Sequence, residues 1–193
     1  MSQELPQTSL SIPENLELLT LGGGCFWCTE AVFQRINGVK KVVSGYAGGF
    51  VEIPTYRQIC SGTTGHAEVI QVFYDPDTIS TEKLLEIFWA THDPTTLNRQ
   101  GADVGPQYRS AIFYHNDKIR EIAENLKSSI NNAEVFDHPV VTEITAFTNF
   151  YPAEDYHQDY FNLNGHQPYC QFVVKPKVDK LKNFFEEYLS EGA

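Results

Sequence analysis

The chain alternates short apolar runs with longer stretches of helical periodicity, and each pattern predicts an element. Leu16 to Leu21 is a nearly continuous apolar run, the signature of a buried strand. Phe26, Val32, Phe33 and Ile36 then recur along one side of a helix that reaches to about Gly38. Val39 to Tyr46 reads as a second strand and His66 to Tyr74 as a third. His66, Glu68, Ile70, Val72 and Tyr74 share one of its faces at a period of two. Between them, Ala47 to Gly65 is a long loop with a helical turn at Tyr56 to Cys60. After the turn Asp75-Pro76-Asp77, Ser80 caps a helix running to Thr91, with Leu84, Leu85, Phe88 and Trp89 inward. His92-Asp93-Pro94 stops it, and a polar loop continues to Gln107. Tyr108 to Tyr114 is a strand, Asp117 to Asn131 a helix with Ile119, Ile122, Leu126 and Ile130 inward, and Val140 to Phe147 a strand. Pro152 suits the first turn of a short helix through Phe161. Tyr169 to Val174 reads as a short strand, and Val178, Leu181, Phe185 and Tyr188 mark a last helix.

Strands and helices interleave without strict alternation, and two adjacent strands near the start can pair antiparallel. The expected fold is α+β, a two-layer sandwich in which helices pack on a mixed β-sheet and long loops carry function. Residues 1–15 form a loose polar lead-in, and residues 16–193 a single catalytic domain without repeats or linkers.

Composition narrows the class. The chain's 193 residues suffice for one sizeable core. A net charge of -11 argues against a nucleic-acid footprint, and no apolar run approaches membrane-spanning length. The first residues lack the basic region and apolar core of a signal peptide, so a cytoplasmic protein is expected. In that setting four cysteines point to catalysis, redox chemistry or metal binding before a disulfide framework. Met1 is the only methionine, which suits a protein that meets oxidants.

The candidate chemistry centres on LGGGCFWCTE, residues 21–30. Cys25 falls where a strand stops and a helix begins, where unpartnered N–H groups and the positive end of the helix dipole lower a thiol's pKa. The bland alternative is a tight turn with buried cysteines. Two cysteines three apart, after three glycines and around Phe26 and Trp27, favour the reactive reading. In GTTGHAEV, Glu68 follows a glycine loop and can enter a cleft; alone it would be a solvated strand residue. In RQGADVGPQYRS, Asp103 and Tyr108 could be turn residues. In NFYPAEDYHQDYF the competing reading is a surface helix with a buried aromatic stripe.

Together these clusters resemble the peptide methionine sulfoxide reductase A family. The resemblance rests on GCFWC at 24–28, GYAGG at 45–49, PTYRQICSGTTGHAEV at 54–69, HDPTTLNRQGADVGPQYRSAIFY at 92–114 and FYPAEDYHQDYF at 150–161. It spans nearly the whole chain beyond the lead-in. It implies reduction of methionine S-sulfoxide, free or in peptides and proteins, through a cysteine sulfenic acid and then an intramolecular disulfide, without a cofactor or metal. By resemblance Cys25 is the nucleophile, Phe26 and Trp27 hold the substrate's methyl group, and Glu68 is the protonated acid. Tyr56 and Tyr108 are phenolic donors, and Asp103 is a second cleft carboxylate. Thioredoxin or another dithiol is the implied reductant, and a monomer is expected.

One departure concerns regeneration. Many members have glycine where this chain has Cys28, and the tail after Cys170, QFVVKPK, lacks the glycine-rich segment with a further cysteine. Cys28 and Cys170 are both candidate resolving thiols. Cys28 lies one helical turn from Cys25, about 5 Å between Cα atoms. Cys170 follows a polar segment, Asn162 to Pro168, that could swing, and it resembles the family's first C-terminal resolving cysteine. It is favoured as the thiol from which thioredoxin regenerates the enzyme, with Cys28 able to take the first disulfide and hand it on. Cys60 is read as structural. The rival functions are a thioredoxin-like disulfide oxidoreductase using Cys25 and Cys28, a cysteine peptidase pairing Cys25 with His66 or His166, and a zinc site on the four cysteines.

Overall fold

The computed structural model describes residues 11–193. Of the expected lead-in, residues 1–10 lie outside the described residues, and 11–15 are exposed. The main sheet has six strands: β1 (Glu17–Gly23), β2 (Val39–Ala47), β3 (Ala67–Tyr74), β6 (Ser110–Tyr114), β7 (Glu143–Ala146) and β8 (Phe150–Pro152). Their order is β7-β6-β1-β3-β2-β8, antiparallel except for the β6–β7 pair. A two-stranded hairpin, β4 (Arg99–Gln100) with β5 (Asp103–Val104), stands apart. The helices are α1 (Phe26–Phe33), α2 (Tyr56–Cys60), α3 (Thr81–Ala90), α4 (Asp117–Asn132), α5 (Tyr160–Asn164) and α6 (Lys175–Phe184). This is the expected mixed sheet with packed helices. Among the described residues no helix is long and apolar enough to cross a membrane.

β3 occupies the centre because every one of its residues is buried. Ile70, Val72 and Tyr74 join the large core beneath α1 and α3, whereas Val69 and Ala67 join a smaller cluster with Phe113 and Phe150. A strand buried on both faces must lie inside a sheet. β1 and β2 flank it, and β2 with β3 makes the antiparallel pair of adjacent strands expected near the start. Both strands are antiparallel to β3, so they run parallel to each other, and β3 sits between them. The connection between them carries α1, and a strand–helix–strand crossover produces parallel strands.

Four boundaries also differ. α1 ends at Phe33, and Ile36 instead bridges to Leu189. Tyr108 lies in a 3₁₀ turn, Pro106–Tyr108, so β6 begins at Ser110. Pro152 ends β8, opposite Gly45, and not a helix; a residue without an N–H is tolerated on an edge strand. Cys170–Val174 is a π-helical turn and not a strand. Its Val and Phe content suggests extended backbone, but the helix has already begun with Gln171 N–H on Gln167 C=O at 3.0 Å. Cys170 and Val174 face the core, while Gln171 and Phe172 are exposed.

β8 is held against β2 by close backbone approach at Gly45. A Cβ there would overlap the Phe150 ring and the Tyr151 carbonyl. Gly45→Ala is therefore expected to destabilise the fold by about 2 kcal/mol, within the range for overpacked sites. Urea unfolding checks this; a midpoint equal to wild type would show that β8 yields freely.

Candidate active site

The site is assembled around the start of α1. Gly24, at φ +93°, turns the chain out of β1, and a side chain there would strike Gln100. Cys25 follows as the helix N-cap, 8% exposed, with no side-chain capping bond of its own. The freed amide of Phe26 is taken from across the sheet: it donates to Glu68 Oε2 at 3.0 Å. Glu68 stands on β3, 1% exposed. Burial pushes its carboxyl up to about 8, with Asp103 adding to the rise and the Phe26 N–H opposing it.

The thiols divide contrary to the expectation of an acidified Cys25. Burial holds the Cys25 thiol well above its usual range, and its hydrogen bond to Cys28 and the charge of Glu68 add to this. The backbone N–H of Trp27 pulls the other way, as a helix N-terminus should, but does not win. Cys28 is lowered to about 7, chiefly by the hydrogen bond from Cys25, against burial and with help from the Lys177 ammonium. Of the two thiols, Cys28 is therefore the easier to ionise and Cys25 the harder.

The aromatic walls come from α1 and the segment after β8. Trp27 lies flat on Tyr160, with centroids 3.7 Å apart and planes 5° off parallel. Tyr169 meets its edge at 5.7 Å. The Trp27 indole N–H donates to His157 Nδ1 at 3.1 Å. His157 is fully buried among Phe26, Tyr56 and Tyr156. Because Nδ1 accepts, the neutral ring carries its proton on Nε2, which faces Glu154 at 3.5 Å. Glu30 fixes this wall to the helix: its buried carboxylate accepts the N–H groups of Asp159 at 2.8 Å and Tyr160 at 3.2 Å.

The phenols complete the cleft. Tyr56 and Tyr108 are half-buried, and burial and then Glu68 push both hydroxyls upward. Tyr169 donates to Asp103 Oδ2 at 2.7 Å, which leaves Tyr169 beside both thiols. Cys170 is fully buried, and burial and the neighbouring Cys28 raise its thiol.

All nine residues singled out from sequence thus share one environment. Sequence reasoning missed Glu30, His157, Tyr160 and Tyr169; the signal available was the aromatic density of DYHQDYF. Of the segment Asn162 to Pro168, expected to swing, only Asn162 to Asn164 belongs to α5. Cys60, read as structural, is exposed beside Tyr56. His66 does not reach Cys25: its Nδ1 accepts from Gly49 N–H at 3.0 Å and its Nε2 meets the Val51 carbonyl at 2.8 Å, so it holds the glycine loop. His166 is exposed. Among the described residues, no three His, Cys, Asp or Glu side chains group to hold a metal ion.

A family model described as peptide methionine sulfoxide reductase matches residues 17–189. The chain belongs to this family. It is 53% identical over 175 residues to the peptide methionine sulfoxide reductase MsrA of Trichodesmium erythraeum, covering 91% of this chain and 99% of that protein. Among solved structures it is similar to Mxr1 from Saccharomyces cerevisiae in reduced form, with TM-score 0.76 and 34% identity over 86% of this chain and 96% of that one. It is also similar to Mxr1 in complex with Trx2, with TM-score 0.54 and 26% identity over 79% of this chain and 91% of that one. The family's chemistry is thiol-based reduction of methionine sulfoxide through a catalytic cysteine.

The Trp27–His157 bond gives a structural prediction. Protonating His157 turns Nδ1 into a donor and breaks the bond. Burial lowers the His157 pKa, so this occurs below the usual histidine range. The only other tryptophan is Trp89. In a Trp89→Phe background, Trp27 emission should change in one step as the pH falls below the usual histidine range, and His157→Phe should remove that step. A step that persists in the His157 variant would separate it from this bond.

Proposed function

We propose that Cys25 is the nucleophile that reduces methionine S-sulfoxide, with Glu68 as the acid and Phe26 and Trp27 as the walls for the methyl group. The supporting observation is a buried carboxyl, pushed up to about 8, in the same cleft as a cysteine at a helix start. Such a carboxyl keeps its proton at neutral pH and can donate to the sulfoxide oxygen as negative charge grows there. Tyr56 and Tyr108 keep their protons and supply further hydrogen bonds to that oxygen. Asp103, by accepting from Tyr169, orients a third hydroxyl towards the thiols.

The more acidic thiol of the pair, Cys28, serves as the base in the first step. Cys25 passes its proton to Cys28 and attacks the sulfoxide sulfur as a thiolate. Glu68 protonates the oxygen, which ends on Cys25 as a sulfenic acid, while the electron pair stays with the departing thioether. The cysteine loses two electrons and the sulfoxide gains them; Glu68 is left as a carboxylate and Cys28 as a thiol. Cys28 then attacks the Cys25 sulfur, releasing water and forming a disulfide. Cys170 takes over the Cys28 sulfur by exchange, freeing Cys25. A thioredoxin-type dithiol returns the two electrons and two protons. The relative solved with Trx2 supports that last step.

The decisive assay uses the two separated sulfoxide epimers with dithiothreitol. The S epimer alone should be reduced, and Cys25→Ser should abolish the reaction while the fold survives. Glu68→Gln should slow single-turnover sulfenic acid formation by roughly 10²-fold. In wild type the rate should rise as Cys28 ionises near pH 7 and fall as Glu68 ionises near pH 8. The Gln variant should lose the alkaline limb. A wild-type-like rate and profile in that variant would remove Glu68 from the mechanism.

Regeneration is read by peptide mapping after one equivalent of substrate without reductant. Wild type should show Cys170 in the disulfide. Cys170→Ser should stop at Cys25–Cys28 and stall with thioredoxin. Normal thioredoxin turnover in Cys170→Ser, with stalling in Cys28→Ser, would make the CFWC pair the complete redox centre.

A further inference from the structure

Two carboxylic side chains are buried among the described residues, Glu68 and Glu30, and the proposed chemistry uses only the first. Glu30 has no cation within ion-pair distance among the described residues. Burial holds its carboxyl above the usual range, and the charge of Asp159 adds to this against the pull of two backbone N–H groups. A buried acid without a counter-ion is costly, so its donors must be well placed. Each oxygen takes its own: Oε1 accepts the Asp159 N–H at 2.8 Å and Oε2 the Tyr160 N–H at 3.2 Å. Successive N–H groups converge on one anion where the backbone passes between the left-handed and right-handed regions, which forms a concave nest. Asp159 supplies that switch, at φ +56° and ψ 31°, and Tyr160 then begins α5. A residue other than glycine seldom holds this conformation, and doing so stores strain.

The arrangement reaches the cleft through one residue. Glu30 lies three positions after Trp27 on α1, so the two are neighbours on the helix surface. Tyr160 meets both: its amide is on Glu30, and its ring lies flat on Trp27 with centroids 3.7 Å apart. The segment that carries His157 and Tyr160 is clamped twice. Gln158 accepts from the Ser44 N–H and donates to the Ser44 carbonyl, both at 2.9 Å, which fixes the segment to β2. Glu30 fixes it to the helix that Cys25 begins. We infer that Glu30 is a positioning residue for the methyl wall: seated in the Asp159–Tyr160 nest, it holds the Tyr160 ring on Trp27 and so sets where that wall stands relative to Cys25. The inference rests on the proposed role of Trp27.

The test is single-turnover sulfenic acid formation in the full-length enzyme as a function of sulfoxide concentration, which separates binding from chemistry. Glu30→Gln keeps the shape but turns an NH₂ group towards one of the two N–H donors. It should raise the half-saturating sulfoxide concentration about tenfold and leave the maximal rate within about threefold. Asp159→Val and Asp159→Gly probe the nest without touching Glu30. Both lose the hydrogen bonds of the Asp159 side chain to Gln34 and Asn162, but only valine resists a positive φ. Valine should reproduce the Glu30→Gln effect, and glycine should stay within about twofold of wild type. Tyr160→Leu removes the stacked ring and should raise half-saturation likewise. Adding Glu30→Gln to it should cause no further rise, because the two act through one contact. Wild-type half-saturation in Glu30→Gln and Asp159→Val, while Trp27→Leu raises it, would overturn the role of Glu30 and leave the wall intact. Wild-type half-saturation in Trp27→Leu would instead remove the role on which the inference rests. Equal effects of valine and glycine, or full additivity with Tyr160→Leu, would also overturn the proposal. Should Glu30→Gln fail to fold, the contrast between valine and glycine at Asp159 decides.

Discussion

A single hydrogen bond, from the Phe26 amide to Glu68, joins the two halves of the site. It exists because Cys25 begins α1 without capping it, so the first amides of the helix need an acceptor. Glu68 is that acceptor because β3 runs through the middle of the sheet and brings its side chain beneath the helix start. The bond fixes one carboxyl oxygen and leaves the other for a proton. It also sets how far the helix start lies from the central strand. Phe26, Trp27 and both thiols take their positions from it.

Around that bond, two opposing effects act on charge. The helix start and the Trp27 amide favour a thiolate at Cys25, and burial disfavours it. Burial wins at Cys25, and the charge moves one turn along to Cys28, which has a thiol donor, an ammonium and a phenol to hold it. The same burial keeps Glu68 protonated. The cleft therefore rests with an acid ready to donate and a nucleophile still protonated, a state that spares Cys25 from indiscriminate oxidants until a sulfoxide arrives.

Much of this was legible in the chain. β3 was visible as a run of alternating positions, and α3 came with its cap, Ser80. The cleft residues lay in long motifs with known partners. What stayed hidden depended on tertiary context. The insertion of β3 between β1 and β2 is a long-range choice that no local pattern encodes. Glu30 reads as a surface acid on a helix and is instead a buried acceptor for two amides far along the chain. The π-helical turn at Cys170 defeats a strand-like composition because its apolar residues are spaced to meet the core once every turn. The expectation of an acidified Cys25 counted the helix dipole, which sequence shows, and omitted desolvation, which it does not.

The depth of Cys25 carries a consequence for what can be repaired. With Cys25 8% exposed and its neighbour Trp27 stacked on Tyr160, a substrate side chain must reach below the surface to meet the thiol. A methionine sulfoxide embedded in a packed interior, or lying flat on a rigid surface, cannot be threaded in. It must project on backbone that can lift away from its surroundings. Oxidation that locally loosens a protein thus creates the geometry this cleft accepts, so the cleft selects damaged chains by their mobility as well as by their chemistry.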